Sequence, residues 1–273
     1  DRIFGVFPRD APVLCRGVSS FLCGMRMPYA SSRAFFCHDF IPVDRHATVL
    51  YDEGRKNGFG EVTAMSGYLD GIRRLGHACI RMKGTVTVYV DPFQIQGEPR
   101  DADVIFVTHS HHDHFSPEDI RKVRKSDTLL VLPPDCVFLA AELGWHNVLP
   151  VEAGTVGEAC GIPFQAVPAY NIGKHFHEKN RGWVGYVLTF NGHRHYDAGD
   201  TDIIPEMADI ACDVAWLPVG GTYTMTAAEA DEAVRRIRPK VAVPTHYGAV
   251  IGDDSDALAF LAGLPAGVSG ERA

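Results

Sequence analysis

A chain of 273 residues, 46% hydrophobic and 22% charged, has the length and composition of a globular protein with one large domain and a sizeable core. Its formal net charge of -8 disfavours non-specific binding to nucleic acid or to an anionic membrane, and a small-molecule partner is expected. No run approaches the roughly 18 apolar residues of a membrane span, nor does a secretion-type apolar segment open the chain, so a soluble, cytoplasmic protein is expected, with homo-oligomerisation left open.

Residues 1–64 mix Arg, Pro, Cys and aromatic residues without sustained alternation or helical period. They read as an N-terminal extension outside the catalytic unit, and a regular domain is expected over residues 65–273. Residues 72–82 and 85–90 read as strands paired about Lys83-Gly84, with Asp91-Pro92 breaking the second. Residues 103–107 form a short apolar run of buried-strand type, which delivers the chain into Thr108-His109-Ser110-His111-His112-Asp113-His114. Ser116-Pro117-Glu118-Asp119 then supplies an N-cap, a proline at the first helical position and acids in the first turn, predicting a helix to about Lys125. Strands are predicted at 128–132, 162–167, 184–190, 213–217 and 241–243, and a helix at 136–143. A further helix follows Thr226, with Glu229 placed for a capping box. Strands and helices that alternate in this way make a layered α/β domain. The seven cysteines are scattered and form no Cys-x-x-Cys pair, so reduced thiols are expected rather than a disulfide framework or a thiolate zinc site.

The histidine run carries the chemistry. His109 and His111, two apart on an extended segment, project to one side, and the following turn lets Asp113 and His114 reach the same point. Imidazole and carboxylate ligands together suit zinc, or iron and manganese as harder alternatives. Neither Gly-x-Ser-x-Gly nor a phosphate-cradling Gly-x-x-x-x-Gly-Lys-Ser/Thr run occurs, which argues against serine hydrolases and nucleotide hydrolases.

His109 to His114 resembles the His-x-His-x-Asp-His signature of the metallo-β-lactamase superfamily. The resemblance extends to Ala198-Gly199-Asp200-Thr201 and Pro244-Thr245-His246-Tyr247. Leu75-Gly76-His77, Gly199-Asp200-Thr201-Asp202 and the run from Pro218 to Met225 are most similar to the branch of L-ascorbate-6-phosphate lactonase and related metal-dependent hydrolases. This resemblance implies an α/β fold, an αββα sandwich of two mixed sheets flanked by helices. It makes His109 and His111 ligands of one metal, Asp113, His114 and His246 ligands of a second, and Asp200 the bridge between them. A third histidine for the first metal is missing, because Ala169-Tyr170-Asn171 stands where it is expected; His175 and His177 are substitutes or substrate contacts. Asn171, His177, Gly221 and Thr222 are the candidate substrate-binding residues, with Gly220-Gly221 letting backbone pass close to the cleft. His193, His195 and Asp197 alternate before Asp200, either supporting it or lying on a surface strand, and His77 reads as a hydrogen-bonded core histidine.

The function expected is that of a metal-dependent hydrolase. Two divalent ions, zinc first and manganese second, would bring the pKa of a bound water to about 7, with Asp113 and Asp200 managing its proton. The substrate expected is a small ester, a lactone first, with a phosphoester or phosphodiester as alternative. A di-iron redox protein on the same scaffold is the competing class, and an inactive scaffold gains its only support from Asn171.

Overall fold

The structure, a computed structural model, describes residues 67–273. The expected extension, residues 1–64, lies outside the described residues.

Residues 72–82 are two strands rather than one, because His77 adopts a left-handed backbone (φ 45°) and reverses the chain. β1 (Ile72–Gly76) and β2 (Cys79–Lys83) therefore form an antiparallel hairpin, and β3 (Thr87–Val90) pairs antiparallel with β2 about the turn expected at Lys83-Gly84. β4 (Ala102–Phe106), β5 (Arg124–Leu132) and β6 (Val148–Pro150) add in parallel, giving a six-stranded sheet in chain order. Between these parallel strands run α1 (Pro117–Val123) and α2 (Pro134–Glu142). The Ser116 hydroxyl caps α1 by accepting from the Asp119 amide, as the sequence implies, but the helix stops at Val123 because Arg124 is already extended and opens β5.

The second sheet has seven strands. β7 (Val156–Ala159), β8 (Ile162–Pro168), β9 (Val184–Phe190) and β10 (His193–Asp197) form an antiparallel meander. β11 (Val214–Pro218), β12 (Val241–Thr245) and β13 (Ser269–Gly270) continue it in parallel from β10. α3 (Ala227–Ile237) and α4 (Asp254–Gly263) make the crossovers, α3 starting from the expected Thr226/Glu229 capping box.

Strand alternation builds three apolar layers. Val104 and Phe106 of β4 meet Trp216 of β11 and Val243 of β12 between the sheets, together with Tyr186 and Leu188 of β9. The intervening residues face outward: Ile105 packs with Ile120 and Val123 of α1, and Ala215, Leu217 and Ala242 pack with Ala233 and Val234 of α3. The result is helix, sheet, sheet, helix, the αββα sandwich. Burying each large side chain of the central layer contributes roughly 1.5–3 kcal/mol, which makes that layer the part that fixes how the strand ends of the two sheets meet. Cys79, Cys136 and Cys212 carry free thiols, whereas Cys160 is disulfide-bonded, a departure from the expectation of reduced thiols throughout. Among the described residues no helix is long and apolar enough to cross a membrane.

Candidate metal centre

Each chemistry-bearing side chain sits on a loop or turn at a strand end. His77 occupies the β1–β2 turn, His109 to His114 follow β4, His177 lies between β8 and β9, Asp200 follows β10 and His246 follows β12. Rigid strands thus bring residues far apart in sequence to one place. The His246 amide donates to the His77 carbonyl at 3.0 Å, tying the end of β12 to the hairpin of the other sheet. His77, Asp91, His177 and His246 all have positive φ without being glycine. Such conformations cost of order 1–3 kcal/mol each and persist where surrounding structure enforces them, as at functional sites.

The side chains converge in two groups of four, His77, Asp113, His114 and His246 in one, and His109, His111, His177 and Asp200 in the other; within each, the ligand atoms lie within 4.8 Å of one another. Asp200 spans the two. Its Oδ2 is 3.1 Å from His177 Nε2 and 3.0 Å from His246 Nε2, and its Oδ1 is 3.3 Å from His114 Nε2. Asp113 Oδ2 lies 3.1, 3.5 and 3.6 Å from the Nε2 atoms of His77, His246 and His114.

These residues fit divalent ions. His114 Nε2, His246 Nε2 and Asp200 Oδ1 are buried and close no hydrogen bond, although His114 and Asp200 stand at contact distance. Buried polar atoms left unpaired are costly, and imidazole and carboxylate lone pairs directed at common points are what a zinc-type ion takes up. Neighbours fix the rings. Asp91 Oδ2 accepts from His114 Nδ1 at 2.6 Å and from the Thr108 hydroxyl at 2.6 Å, which leaves His114 Nε2 as the lone-pair nitrogen. The Trp183 ring lies 4.7, 4.8 and 5.4 Å from those of His109, His111 and His177, while its N–H and the Ser110 hydroxyl both donate to Asp135 Oδ2 at 2.7 Å. The sequence reading missed Asp91, Asp135 and Trp183. For Asp91 it held only a strand break, and nothing in spacing links Trp183 to the histidine run.

Several sequence-based assignments change. His177, which the sequence offers either as a substitute for the missing third histidine or as a substrate contact, stands with His109, His111 and Asp200, in a ligand's position. Asn171 supports it: the Asn171 amide nitrogen is 3.3 Å from His177 Nδ1 and donates to the Tyr223 carbonyl at 2.6 Å, and the side chain does not line the cleft. His175 is exposed. His77 is buried and hydrogen-bonded as expected, yet its partner is Asp113 and it shares that group's geometry, an association hidden by the unforeseen turn. Gly221 and Thr222 belong to a tight turn closed by the Thr224 amide donating to the Gly221 carbonyl at 2.6 Å; Tyr223, not these two, lines the cleft. Gly220 is where backbone passes closely, since a Cβ there would stand 2.4 Å from the His246 carbonyl. On β10, His193 is half-buried whereas His195 and Asp197 are buried, with Asp197 Oδ1 accepting from the Gly199 amide at 2.8 Å beside Asp200, and none of the three joins the two groups.

The electrostatics are those of a cation site. Burial disfavours charge on His114 and His246, but Asp200, joined by Asp91 at His114 and Asp113 at His246, outweighs it, raising His114 well above the usual imidazole range and His246 to about 9. Burial and neighbouring histidines lower His109 strongly and His111 to about 4. Burial opposes ionisation of Asp113 and Asp200, yet the surrounding imidazoles hold both below the usual carboxylate range. Carboxylates that retain protons on neighbouring rings also favour a divalent ion in their place.

The sequence matches the family model of the beta-lactamase superfamily domain over residues 71–246. A UPF0173 metal-dependent hydrolase of Thermoplasma acidophilum is 33% identical over 202 residues, 69% of this chain and 88% of the relative. A structure from Parabacteroides distasonis, assigned as a metal-dependent hydrolase, is 33% identical, with a TM-score of 0.62, over 73% of this chain and 90% of its own. CmlA, a diiron β-hydroxylase from Streptomyces venezuelae, shares the fold with a TM-score of 0.63 at 17% identity, covering 74% of this chain and 52% of its own. With two His/Asp groups at the strand ends of an αββα sandwich, the chain belongs to the metallo-β-lactamase superfamily and is a metal-dependent hydrolase.

Proposed function

We propose that the enzyme hydrolyses a small-molecule carboxylic ester, a lactone first, at a centre of two divalent ions, zinc in preference to manganese. The observation that carries this reading is the position of Asp200, whose carboxylate lies within 3.3 Å of histidines from both groups. His109, His111 and His177 would hold one ion, Asp113, His114 and His246 the other with His77 beside them, and Asp200 would bridge. When bound, such ions polarise a substrate carbonyl and lower the pKa of a water. Asp113 and Asp200, both held as carboxylates, would orient that water and accept its proton. In the reaction one water oxygen bonds to the acyl carbon, the bond from that carbon to the ring oxygen breaks, and the ring oxygen takes up a proton as the product hydroxyl. The protein would act in the cytoplasm on a free small molecule. A phosphoester or phosphodiester is the second substrate class. Metal quantification followed by a screen of lactones, phosphoesters and phosphodiesters on one preparation tests the reading: hydrolysis confined to phosphorus esters would overturn the lactone assignment, and a coloured di-iron protein without hydrolysis would overturn the whole.

A further inference from the structure

The cleft that opens over the two groups has a volume of about 210 Å³ and two unlike sides. One side is the ligand cluster. The other is apolar: Phe176, Tyr223 and Val250 line it, with Phe176 48% and Val250 40% exposed, and the Phe176 and Tyr223 rings meet edge to face at 4.8 Å. Phe176 immediately precedes His177, and Val250 lies four residues after His246, so the apolar wall is built on the segments that carry ligand-type histidines. No lysine or arginine among the described residues lines this cleft, and its remaining lining residue, His112, stands on the ligand side with its Nδ1 3.7 Å from Asp113 Oδ1. The basic residues of the neighbouring loop are engaged elsewhere: Lys174 binds Asp202 and the Thr224 carbonyl, Lys179 binds Glu206 and the Tyr170 hydroxyl, and the Arg181 guanidinium lies over the Trp183 ring.

From this pairing we infer that the substrate carries an uncharged apolar substituent next to the hydrolysed bond, seated on Phe176, Tyr223 and Val250, and that esters bearing a phosphate at that position are excluded. The inference rests on the hydrolase reading for its reaction, but the wall's preference can be measured without turnover. An apolar tail gains from leaving water against the wall, whereas a phosphate there would lose hydration without a cationic partner.

The test uses the zinc-loaded full chain and alkyl hydroxamic acids from acetohydroxamic to hexanohydroxamic acid, with binding read by calorimetry. A fully buried methylene corresponds to about four-fold in affinity, and one against this half-open wall to about two-fold, so four methylenes give about 16-fold. Phe176→Ser and Val250→Ser should each flatten the slope; both positions are exposed, and metal content verifies that the site is intact. Affinity independent of tail length, a slope unchanged in both variants, or 6-phosphonohexanohydroxamic acid binding as tightly as its uncharged counterpart would each overturn the inference. Turnover of γ-butyrolactone and γ-octalactone on the same preparation separates the two claims. A hydroxamate gradient without lactone hydrolysis would refute the ester reading and leave the wall's preference standing, and lactone hydrolysis without a gradient would do the reverse.

Discussion

Replacing His177 separates the two roles that the sequence leaves open for it, metal ligand and substrate contact. Its Nε2 lies 3.1 Å from Asp200 Oδ2 and 3.1 Å from His111 Nδ1, inside a group of four ligand-type side chains. His177→Ala removes one of the four. Loss of a mere supporting partner typically costs 10–100-fold in metal affinity, so loss of a ligand should cost about 100-fold or more, equivalent to about 2.7 kcal/mol. One equivalent of zinc should weaken by this factor while the other, assigned to Asp113, His114 and His246, changes far less. Asn171→Ala should weaken the same equivalent by only about ten-fold, because the amide touches His177 Nδ1 at 3.3 Å while the Asn171 amide N–H bond to the His177 carbonyl survives. His175→Ala should change nothing, since that side chain is exposed. Competition of apo-protein with a chromophoric zinc chelator resolves the two equivalents. Two unaltered equivalents in His177→Ala, or an effect of His175→Ala as large as that of His177→Ala, would refute the assignment.

Asp200→Ala should weaken both equivalents and abolish ester turnover while leaving far-UV circular dichroism unchanged; loss of only one equivalent would show that it does not bridge. Gly220→Ala places a Cβ 2.4 Å from the His246 carbonyl and 2.9 Å from Ile251 Cγ2, so it should destabilise by about 1–3 kcal/mol and selectively loosen the His246 equivalent, whereas a neutral outcome in urea unfolding would contradict the close approach. Asp135→Ala frees Trp183 and Ser110 together and should weaken the His109, His111 and His177 equivalent by about ten-fold, with a changed Trp183 emission; unchanged zinc affinity would show that the anchor is dispensable. Burial lowers His195 to about 4. Its unfolded ring takes a proton below about 6.5 while the folded ring does not until about 4, so this residue's stabilisation is present above pH 6.5, falls as pH drops towards 4 and then levels. The loss amounts to about 3 kcal/mol, and His195→Leu should remove it from the difference between urea midpoints at pH 7 and pH 4.5; the same acid sensitivity in the variant would refute this.

What the sequence discloses follows the range over which its signals act. Ser116 and Thr226 set helix starts through atoms three residues away, and both caps form as read. The His109 to His114 run is legible because neighbours in sequence deliver it to one loop. His77 is illegible for the converse reason: a single left-handed residue inside an otherwise strand-like stretch turns the chain, and only tertiary structure brings its ring within 4.1 Å of His246. His177 is legible as a candidate but not as a choice, since spacing offers His175 and His177 alike and only the folded loop leaves His175 exposed and sets His177 beside His109, His111 and Asp200. For β10 the alternation of His193, His195 and Asp197 leaves a supporting role and a surface strand both open; the fold leaves His193 half-buried and Arg194 exposed but buries His195 and Asp197, and burial lowers the His195 pKa.

The central claim, that hydrolysis depends on ions held by these two groups, is tested most directly by stripping the full chain with a chelator and restoring zinc stepwise, with bound metal and lactone hydrolysis measured on each sample. Activity should vanish with the metal and return mainly with the second equivalent, because Asp200 serves both ions. Full activity in metal-free protein, or zinc binding at two equivalents without hydrolysis of any ester, would contradict it.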